Sequence, residues 1–223
     1  MDRACEGIVS KFLSGKYGRI EFPLSTDDLG QIIEVEAEDL DLGADLSTYG
    51  PDVEGVTEFQ PKRKPLVKIS KVLAADERYQ NRLRTTLAHE YGHVHFHAYL
   101  WETQPPGADL LKRNPDANRQ ICKRDEILNA AQSDWMEWQA GYVCGAILMP
   151  ASRVRRLAGD YLESQGLYGA IGRADSHGQA LIEAVIEAFQ VSADAARIRL
   201  LKLEILGESS AGPSLFDLQS SRS

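Results

Sequence analysis

The sequence has few of the features that mark secreted and membrane proteins. Its 223 residues include three cysteines, Cys5, Cys122 and Cys144, which form no CxxC pair. This spacing argues against a disulfide framework and against a zinc site made of cysteines alone. The sequence has no run of about 18 apolar residues and no apolar signal core near its start. We therefore expect a cytoplasmic protein with no membrane-spanning segment.

Basic residues are absent from one long stretch of the chain. Residues 21–60 contain twelve Asp and Glu residues and no Lys or Arg, so their formal charge is −12 in a chain whose net charge is −8. An acidic face of this kind would repel a phosphate backbone and attract a basic partner. A solvated sheet edge with loops is the simpler interpretation. In either case the charge does not predict binding to nucleic acid.

The overall composition and the hydrophobic patterns indicate a mixed globular fold. Hydrophobic residues make up 43% of the chain and charged residues 26%, which excludes wholesale disorder. Apolar residues alternate over 32–37 and 65–70, which predicts two strands, and 53–60 is a candidate for a third. The periodicity becomes helical over 75–99 and again over 134–149. These elements predict an α+β protein.

The segment TTLAHEYGHVHFH, residues 85–97, contains an HExxH pattern on the first of these helices. His89 and His93 lie four residues apart and project from one face, so they can share a metal ion. Neutral imidazoles are good zinc ligands, and a catalytic zinc keeps one position open for water. Glu90, beside the pair, is the candidate general base for that water. The competing interpretation is a helix face with two solvated histidines.

A catalytic metal site needs a third protein ligand, and Glu137 is the candidate. It lies in the second helix, which begins near Asp134. An acidic residue three positions after Asp134 also completes a capping box, so the spacing by itself leaves both interpretations of Glu137 open. On the same helix, Trp135, Trp138 and residues 143–149 are predicted to pack in the core.

Two motifs together resemble the ImmA/IrrE family of zinc-dependent metallopeptidases. HEYGHVHFH is similar to the family's HELGHxxxH-like helix, and EWQAGYVCGAILMP is similar to its ExxAN-x-FA-xx-LLMP helix. VEGVTEFQPKRKPLVKIS fits the preceding hairpin, so the resemblance covers about residues 20–155. The chain departs from the pattern at Gly141, where the family has Asn, and at Val143-Cys144, where it has Phe-Ala. The segment between the two motifs, mostly residues 98–133, is also longer than is common in the family.

The resemblance implies one zinc ion per chain, held by His89, His93 and Glu137, with Glu90 as the general base. His97 matches a family histidine, for which we expect a supporting role rather than ligation. The resemblance also implies a narrow-specificity endopeptidase that cleaves a protein substrate such as a helix-turn-helix transcriptional repressor. Relatives of this kind are often encoded on mobile elements or in stress-response loci.

One strand is a candidate for substrate binding. An extended peptide can pair with the edge of a sheet through its backbone, and Pro65–Ser70 could offer such an edge. Substitutions at Val67 and Ile69 would test this hypothesis.

The predicted organisation is a small N-terminal β-sheet packed on the HExxH helix, followed by a mainly helical C-terminal part. Residues 1–155 would form the metallopeptidase domain, with 98–133 as an inserted loop or lid. Residues 156–206 would form the helical segment. The Gly- and Ser-rich residues 207–223 are expected to be a disordered tail.

Two predicted helices, near 177–190 and 193–206, have the outline of a helix-turn-helix. Small and apolar side chains are expected between them, namely Ala184, Phe189, Ala196 and Leu200. Basic side chains are expected on the exposed side, namely Arg197, Arg199 and Lys202. Three basic residues are few for DNA binding in an acidic chain, so a helical pair that completes the core is the favoured interpretation.

Two other functions stay open beside the peptidase. The protein could be a metal-containing regulator that binds a repressor or antitoxin without cutting it, or a DNA-binding regulator that uses the C-terminal helices. Glu90 has no role in a purely structural metal site, which favours the enzyme. Two His and one Glu would also accept manganese or iron. The substrate, the activating signal and the oligomeric state are not predicted.

Overall fold

Helices and strands both contribute to the structure, a computed structural model, and the fold class is α+β as predicted. The structure describes residues 1–102, 119–123, 134–168 and 171–207. The chain divides into two compact units between Leu148 and Met149.

The first unit contains a four-stranded sheet with the strand order β1-β3-β2-β4. Its strands are β1 (Asp39–Ala44), β2 (Val53–Gln60), β3 (Arg63–Ser70) and β4 (Arg119–Lys123). Strand β1 runs parallel to β3, whereas β2 is antiparallel to both β3 and β4. The strands predicted at 53–60 and 65–70 are therefore confirmed as one hairpin. Its turn includes Lys62, whose φ is 58°.

The first unit also contains six described helices, one of which is largely buried. They are α1 (Asp2–Tyr17), α2 (Thr26–Glu36), α3 (Lys71–Ala74), α4 (Gln80–His97), α5 (Tyr99–Glu102) and α6 (Trp135–Leu148), with 3₁₀ turns at Ser47–Tyr49 and Glu77–Tyr79. Helix α4 carries the HExxH pattern and contacts α2, α6 and the strands β2, β3 and β4. Nearly every α4 residue from Leu83 to Val94 is buried. The sheet therefore packs on the HExxH helix, as the sequence predicts.

The strand predicted at 32–37 is wrong, because these residues belong mainly to α2. The helix begins with a capping box in which the Ser25 hydroxyl accepts from the Asp28 backbone N–H at 3.0 Å, and the Asp28 carboxylate accepts from the Ser25 N–H at 3.3 Å. Its buried apolar residues recur at helical spacing, namely Leu29, Ile32 and Ile33. Residues 32–37, in which apolar residues alternate, contain only the end of this helical pattern.

The predicted loop or lid at 98–133 is partly strand. Residues 119–123 form β4, whose backbone pairs with β2 and extends the sheet. Residues 103–118 and 124–133 lie outside the described residues, as does the predicted tail from residue 208 onward. Two other side chains also differ from expectation, since Trp135 is 50% exposed and Trp138 is 36% exposed rather than buried in the core.

The second unit contains three described helices and a very short parallel pair of strands. The helices are α7 (Ala151–Ser164), α8 (Ser176–Phe189) and α9 (Ala193–Lys202), and the strands are β5 (Ile171–Gly172) and β6 (Leu206–Gly207). The boundary predicted at residue 155 falls inside α7, which packs on α8. Ser192 caps α9 by accepting from the Ala195 N–H at 3.2 Å. None of the described helices is long and apolar enough to cross a membrane.

The basic face predicted for the C-terminal helices is wrong at one position. Arg199 is only 1% exposed, and its Nε–H donates to the Met149 carbonyl at 2.9 Å. Burial of a charged side chain has a high desolvation cost, which this hydrogen bond offsets in part. Phe189, Ala196 and Leu200 are buried, as expected for a packed helical pair.

Candidate metal centre

Three side chains from two helices meet inside the first unit. The Nε2 atoms of His89 and His93, both on α4, are 3.1 Å apart. The carboxylate of Glu137, on α6, lies 3.0 Å from His89 Nε2 through Oε2 and 3.2 Å from His93 Nε2 through Oε1. One ligand atom from each residue can be chosen so that all three lie within 4.8 Å of one another, and all three residues are buried. This cluster could bind a metal ion.

Helices α4 and α6 approach closely at Gly92, inside the HEYGH pattern. A Cβ atom on Gly92 would lie 2.9 Å from the Cα and 3.3 Å from the carbonyl oxygen of Ala140. No side chain fits there without moving the α6 backbone, so the close contact requires glycine. Because Glu137 is one turn before Ala140, the same contact brings its carboxylate to the histidines.

Glu137 lies at the start of α6, where the sequence left two interpretations open. The Asp134 carboxylate accepts from the Glu137 backbone N–H at 3.3 Å, which is the backbone half of a capping box. The Glu137 side chain, in contrast, contacts His89 and His93. Asp134 thus acts at the helix end, while the Glu137 carboxylate belongs to the buried cluster.

The charge of Glu137 suits a cation site. Burial by itself would raise the pKa of this carboxyl, but the contacts with His89 and His93 outweigh burial and hold the pKa well below its usual range. The carboxylate is therefore ionised. Two imidazole nitrogens and one carboxylate oxygen form the donor set of many catalytic zinc sites, so the residues present fit a divalent ion.

Glu90 follows His89 on α4 and is completely buried against the sheet. The Thr57 hydroxyl of β2 donates to its Oε2, and the Cys122 thiol of β4 also contacts the carboxyl. Burial raises the pKa of Glu90 to about 7, and the charge of Glu137 adds to the increase, whereas His93, Thr57 and Cys122 oppose it. Within the described residues, Glu90 Oε1 has no hydrogen-bond partner. A carboxyl with such a pKa and one free oxygen can both take and return a proton near neutral pH.

Gly55 of β2 makes room for this carboxyl. A Cβ atom there would lie 2.3 Å from Glu90 Oε1 and 2.8 Å from its Cδ. Gly55, Thr57 and Cys122 are not among the site residues predicted from the sequence. Gly55 had a usable signal, since a glycine inside a strand pattern often marks a close approach. Thr57 and Cys122 had none, because they contact Glu90 only through tertiary packing.

His97 lies beside the cluster and is not part of it. Its Nδ1 is 3.0 Å from His93 Nδ1, and its Nε2 is 2.9 Å from Gln139 Oε1. Burial, together with His93, lowers the pKa of His97 to about 4, so the ring is neutral at physiological pH. This position suits the supporting role predicted for His97.

The substrate strand predicted at Pro65–Ser70 is wrong. This segment lies in β3, which pairs with β1 on one side and with β2 on the other. Val67 and Ile69 are buried, and the backbone edge that a peptide would need is already occupied. The outer strands of the described sheet are β1 and β4, and β4 carries Cys122 next to Glu90.

A second, half-buried contact on α4 lies away from the cluster. Glu36 of α2 accepts from the Tyr91 hydroxyl at 3.0 Å and lies 2.8 Å from His95 Nδ1. These contacts join α4 to α2. His95 is therefore a same-helix comparison for substitutions at the other histidines.

Comparisons with known proteins do not assign the chain to a family, since no protein-family model matches it and no curated protein is significantly similar to it. The residues of the cluster and the motifs that contain them are therefore what indicates the function.

Proposed function

We propose that the protein is a zinc-dependent metallo-endopeptidase. The observation that carries the proposal is the position of Glu90. It is a buried carboxyl with one oxygen that has no partner among the described residues, next to two histidines and a carboxylate that could hold a metal ion. A purely structural metal site has no use for such a group.

His89, His93 and Glu137 would hold the ion. Three protein ligands from imidazole and carboxylate leave room for water or substrate, which is typical of catalytic zinc. When bound, the ion would act as a Lewis acid toward the scissile carbonyl and would lower the pKa of water. The same donor set also accepts manganese or iron, and zinc is the metal that the motifs favour.

Glu90 would accept and then donate the proton that moves during hydrolysis. Its Oε2 accepts from Thr57, so Oε1 is the oxygen available to take a proton from the attacking water. As the C–N bond of the peptide breaks, Glu90 returns this proton to the leaving nitrogen. In the metal-free protein burial raises the pKa of Glu90 to about 7, and a carboxyl that can gain and lose a proton near neutral pH suits both steps.

The substrate we propose is a protein cleaved at few positions, such as a helix-turn-helix transcriptional repressor. The support is the resemblance of the two motifs to the ImmA/IrrE family. Those acidic residues of 21–60 that lie at the surface would favour a basic partner, whereas Asp28 and Glu54 are buried.

A second candidate is a metal-containing regulator that binds its partner without cutting it. The observation in its favour is the burial of the cluster, since His89 and His93 are 0% exposed and Glu137 is 5% exposed. A closed site of this kind also suits a structural metal.

Glu90→Gln distinguishes the two candidates. Zinc-loaded wild type and variant would be incubated with purified helix-turn-helix proteins and with a proteome-derived peptide library, and new termini would be identified by mass spectrometry. The peptidase predicts that the variant keeps zinc and loses cleavage, whereas the exposed-glutamate control Glu183→Gln keeps both. Equal cleavage by Glu90→Gln would refute the role of Glu90. Zinc binding without cleavage by the wild type would favour the regulator.

A further inference from the structure

A row of three side chains, His93, His97 and Gln139, begins at the proposed metal site and leads away from it. His93 Nδ1 is 3.0 Å from His97 Nδ1, and His97 Nε2 is 2.9 Å from Gln139 Oε1. Both histidines are 0% exposed. The Trp135 ring packs edge-on against His97, with the ring centroids 5.2 Å apart. The His97 ring is thus enclosed, and each of its nitrogens faces one defined atom.

The orientation of the Gln139 amide decides where the protons lie. Its Nε2 is 3.6 Å from the Met1 Sδ, and a thioether sulfur can only accept a hydrogen bond. The amide NH₂ therefore faces Met1, and the carbonyl oxygen faces His97. Because that oxygen can only accept, His97 Nε2 must carry a hydrogen.

The next nitrogen pair follows from the first. A neutral imidazole has one N–H and one acceptor nitrogen, so His97 with its hydrogen on Nε2 accepts at Nδ1. His93 Nδ1 faces that acceptor and must donate. With a metal ion bound, its Nε2 would present a lone pair to the ion beside His89 Nε2, 3.1 Å away, and Glu137 Oε1, 3.2 Å away, whereas without an ion the Glu137 carboxylate favours a hydrogen on this nitrogen.

We propose that Gln139 is a positioning residue that fixes the tautomer of His93 through His97, so that His93 Nε2 is free to bind the metal ion. The inference rests on the metal site of the proposed function. Outer partners of this kind commonly set the ring orientation and tautomer of a metal-binding histidine. Gln139 contacts neither the ion nor the reacting atoms.

The other histidine ligand lacks a comparable partner. His89 Nδ1 is buried and has no hydrogen-bond partner among the described residues. The contacts from Gln139 through His97 to His93, called the relay below, therefore act on one of the two histidines. Their loss should affect the His93–His97 pair selectively.

The direct test is the protonation pattern of the rings in ¹⁵N-labelled protein, read by long-range ¹H–¹⁵N NMR without metal and with zinc. In the zinc-bound wild type, His97 should carry its hydrogen on Nε2 and His93 on Nδ1, and in the metal-free protein His97 should keep its hydrogen on Nε2. A His97 hydrogen on Nδ1 in the wild type would overturn the proposal without any variant.

Substitution of Gln139 adds a second readout, the affinity for zinc in competition with a chromophoric chelator. Gln139→Met has a similar length and removes the acceptor, so His97 should populate both tautomers and the affinity for zinc should fall about 10-fold or more. Gln139→Glu keeps an acceptor oxygen and should restore the wild-type tautomer and an affinity close to that of the wild type. Gln31→Met on α2 is the matched control and should change neither.

The outcomes separate the relay from the proposed function. An unchanged His97 tautomer and zinc affinity in Gln139→Met would mean that Gln139 only packs, and the proposal would fail. A wild type that binds no zinc would remove the metal site, while the NMR pattern of the metal-free protein would still decide whether the relay exists.

Discussion

The carboxyl of Glu90 fills the space that a side chain at position 55 would occupy. A Cβ atom on Gly55 would lie 2.3 Å from Glu90 Oε1, so the strand and the HExxH helix are complementary at this point. The glycine lets the carboxyl lie flat against β2, where Thr57 donates to it. The position of the proposed general base therefore depends on a residue that takes no part in the chemistry.

Gly55→Ala should displace Glu90 and leave the metal ligands in place. The closest atom is the end of a flexible side chain, so the carboxyl can move while the backbone stays. We expect normal zinc content and a loss of peptidase activity of about 10²-fold or more, comparable to removal of a general base. Zinc analysis and cleavage rates check this. Gly7→Ala, at a helical glycine with open space around it, is the control, and a Gly55→Ala enzyme of wild-type activity would contradict the prediction.

Gly92→Ala should act on the backbone instead. The added Cβ would lie 2.9 Å from the Ala140 Cα, and no flexible side chain can yield there. We expect α4 and α6 to separate, with a loss of about 1–3 kcal/mol in the free energy of unfolding and weaker zinc binding. Urea denaturation and a zinc titration measure the two effects. Unchanged stability would show that the helices can adjust without cost.

Glu137→Ala and Asp134→Ala separate the ligand from the helix cap. The Glu137 carboxylate contacts both histidines, so its removal should reduce zinc content from about one per chain to near zero. Within the described part of the chain the Asp134 carboxylate accepts from the Glu137 N–H, so its removal should cost about 0.5–2 kcal/mol of stability and leave zinc bound. Elemental analysis of the purified proteins distinguishes the two. Equal zinc in all three proteins would place the third ligand elsewhere.

Glu90 should make the stability of the metal-free protein depend on pH. Burial raises its pKa from 4.5 to about 7, so between these values the folded state binds more protons than the unfolded chain. The free energy of unfolding contributed by Glu90 therefore falls as the pH rises through about 7. The Gln side chain of Glu90→Gln cannot ionise, so this variant does not lose stability in this way. Between about pH 5 and about pH 8 its free energy of unfolding should therefore rise, relative to that of the wild type, by up to about 3 kcal/mol.

Urea denaturation of the metal-free proteins at both pH values measures this difference. The exposed-residue control Glu183→Gln should follow the wild type. A difference between Glu90→Gln and the wild type that is the same at both pH values would mean that Glu90 keeps an ordinary pKa.

Part of the candidate site could be predicted because its information is local. His89 and His93 share one face of a helix by their spacing alone, and the strand at 65–70 follows from its alternating residues, whereas the hairpin was implied by the family resemblance. Glu137 needed the second motif, since spacing also allowed a helix cap. The structure brings all three ligands together.

Other expectations failed because residues outside the predicted segment decide its structure. The segment at 32–37 is helical because a capping box begins the helix upstream. Val67 and Ile69 lie in an inner strand because β1 returns to pair with β3, and Arg199 is buried because its guanidinium reaches the Met149 carbonyl.

The sequence by itself determined that His89 and His93 share a helix face with Glu90 beside them, because the HExxH spacing lies within two turns of one helix. Only the tertiary structure decided how these residues are held. Gly55 gives Glu90 its space, Gly92 lets α6 approach α4, and Gln139 contacts His97. Each of these contacts joins segments that are far apart in the chain, and such pairs leave no periodic signal along the sequence. Their geometry comes from packing, which depends on all the elements at once.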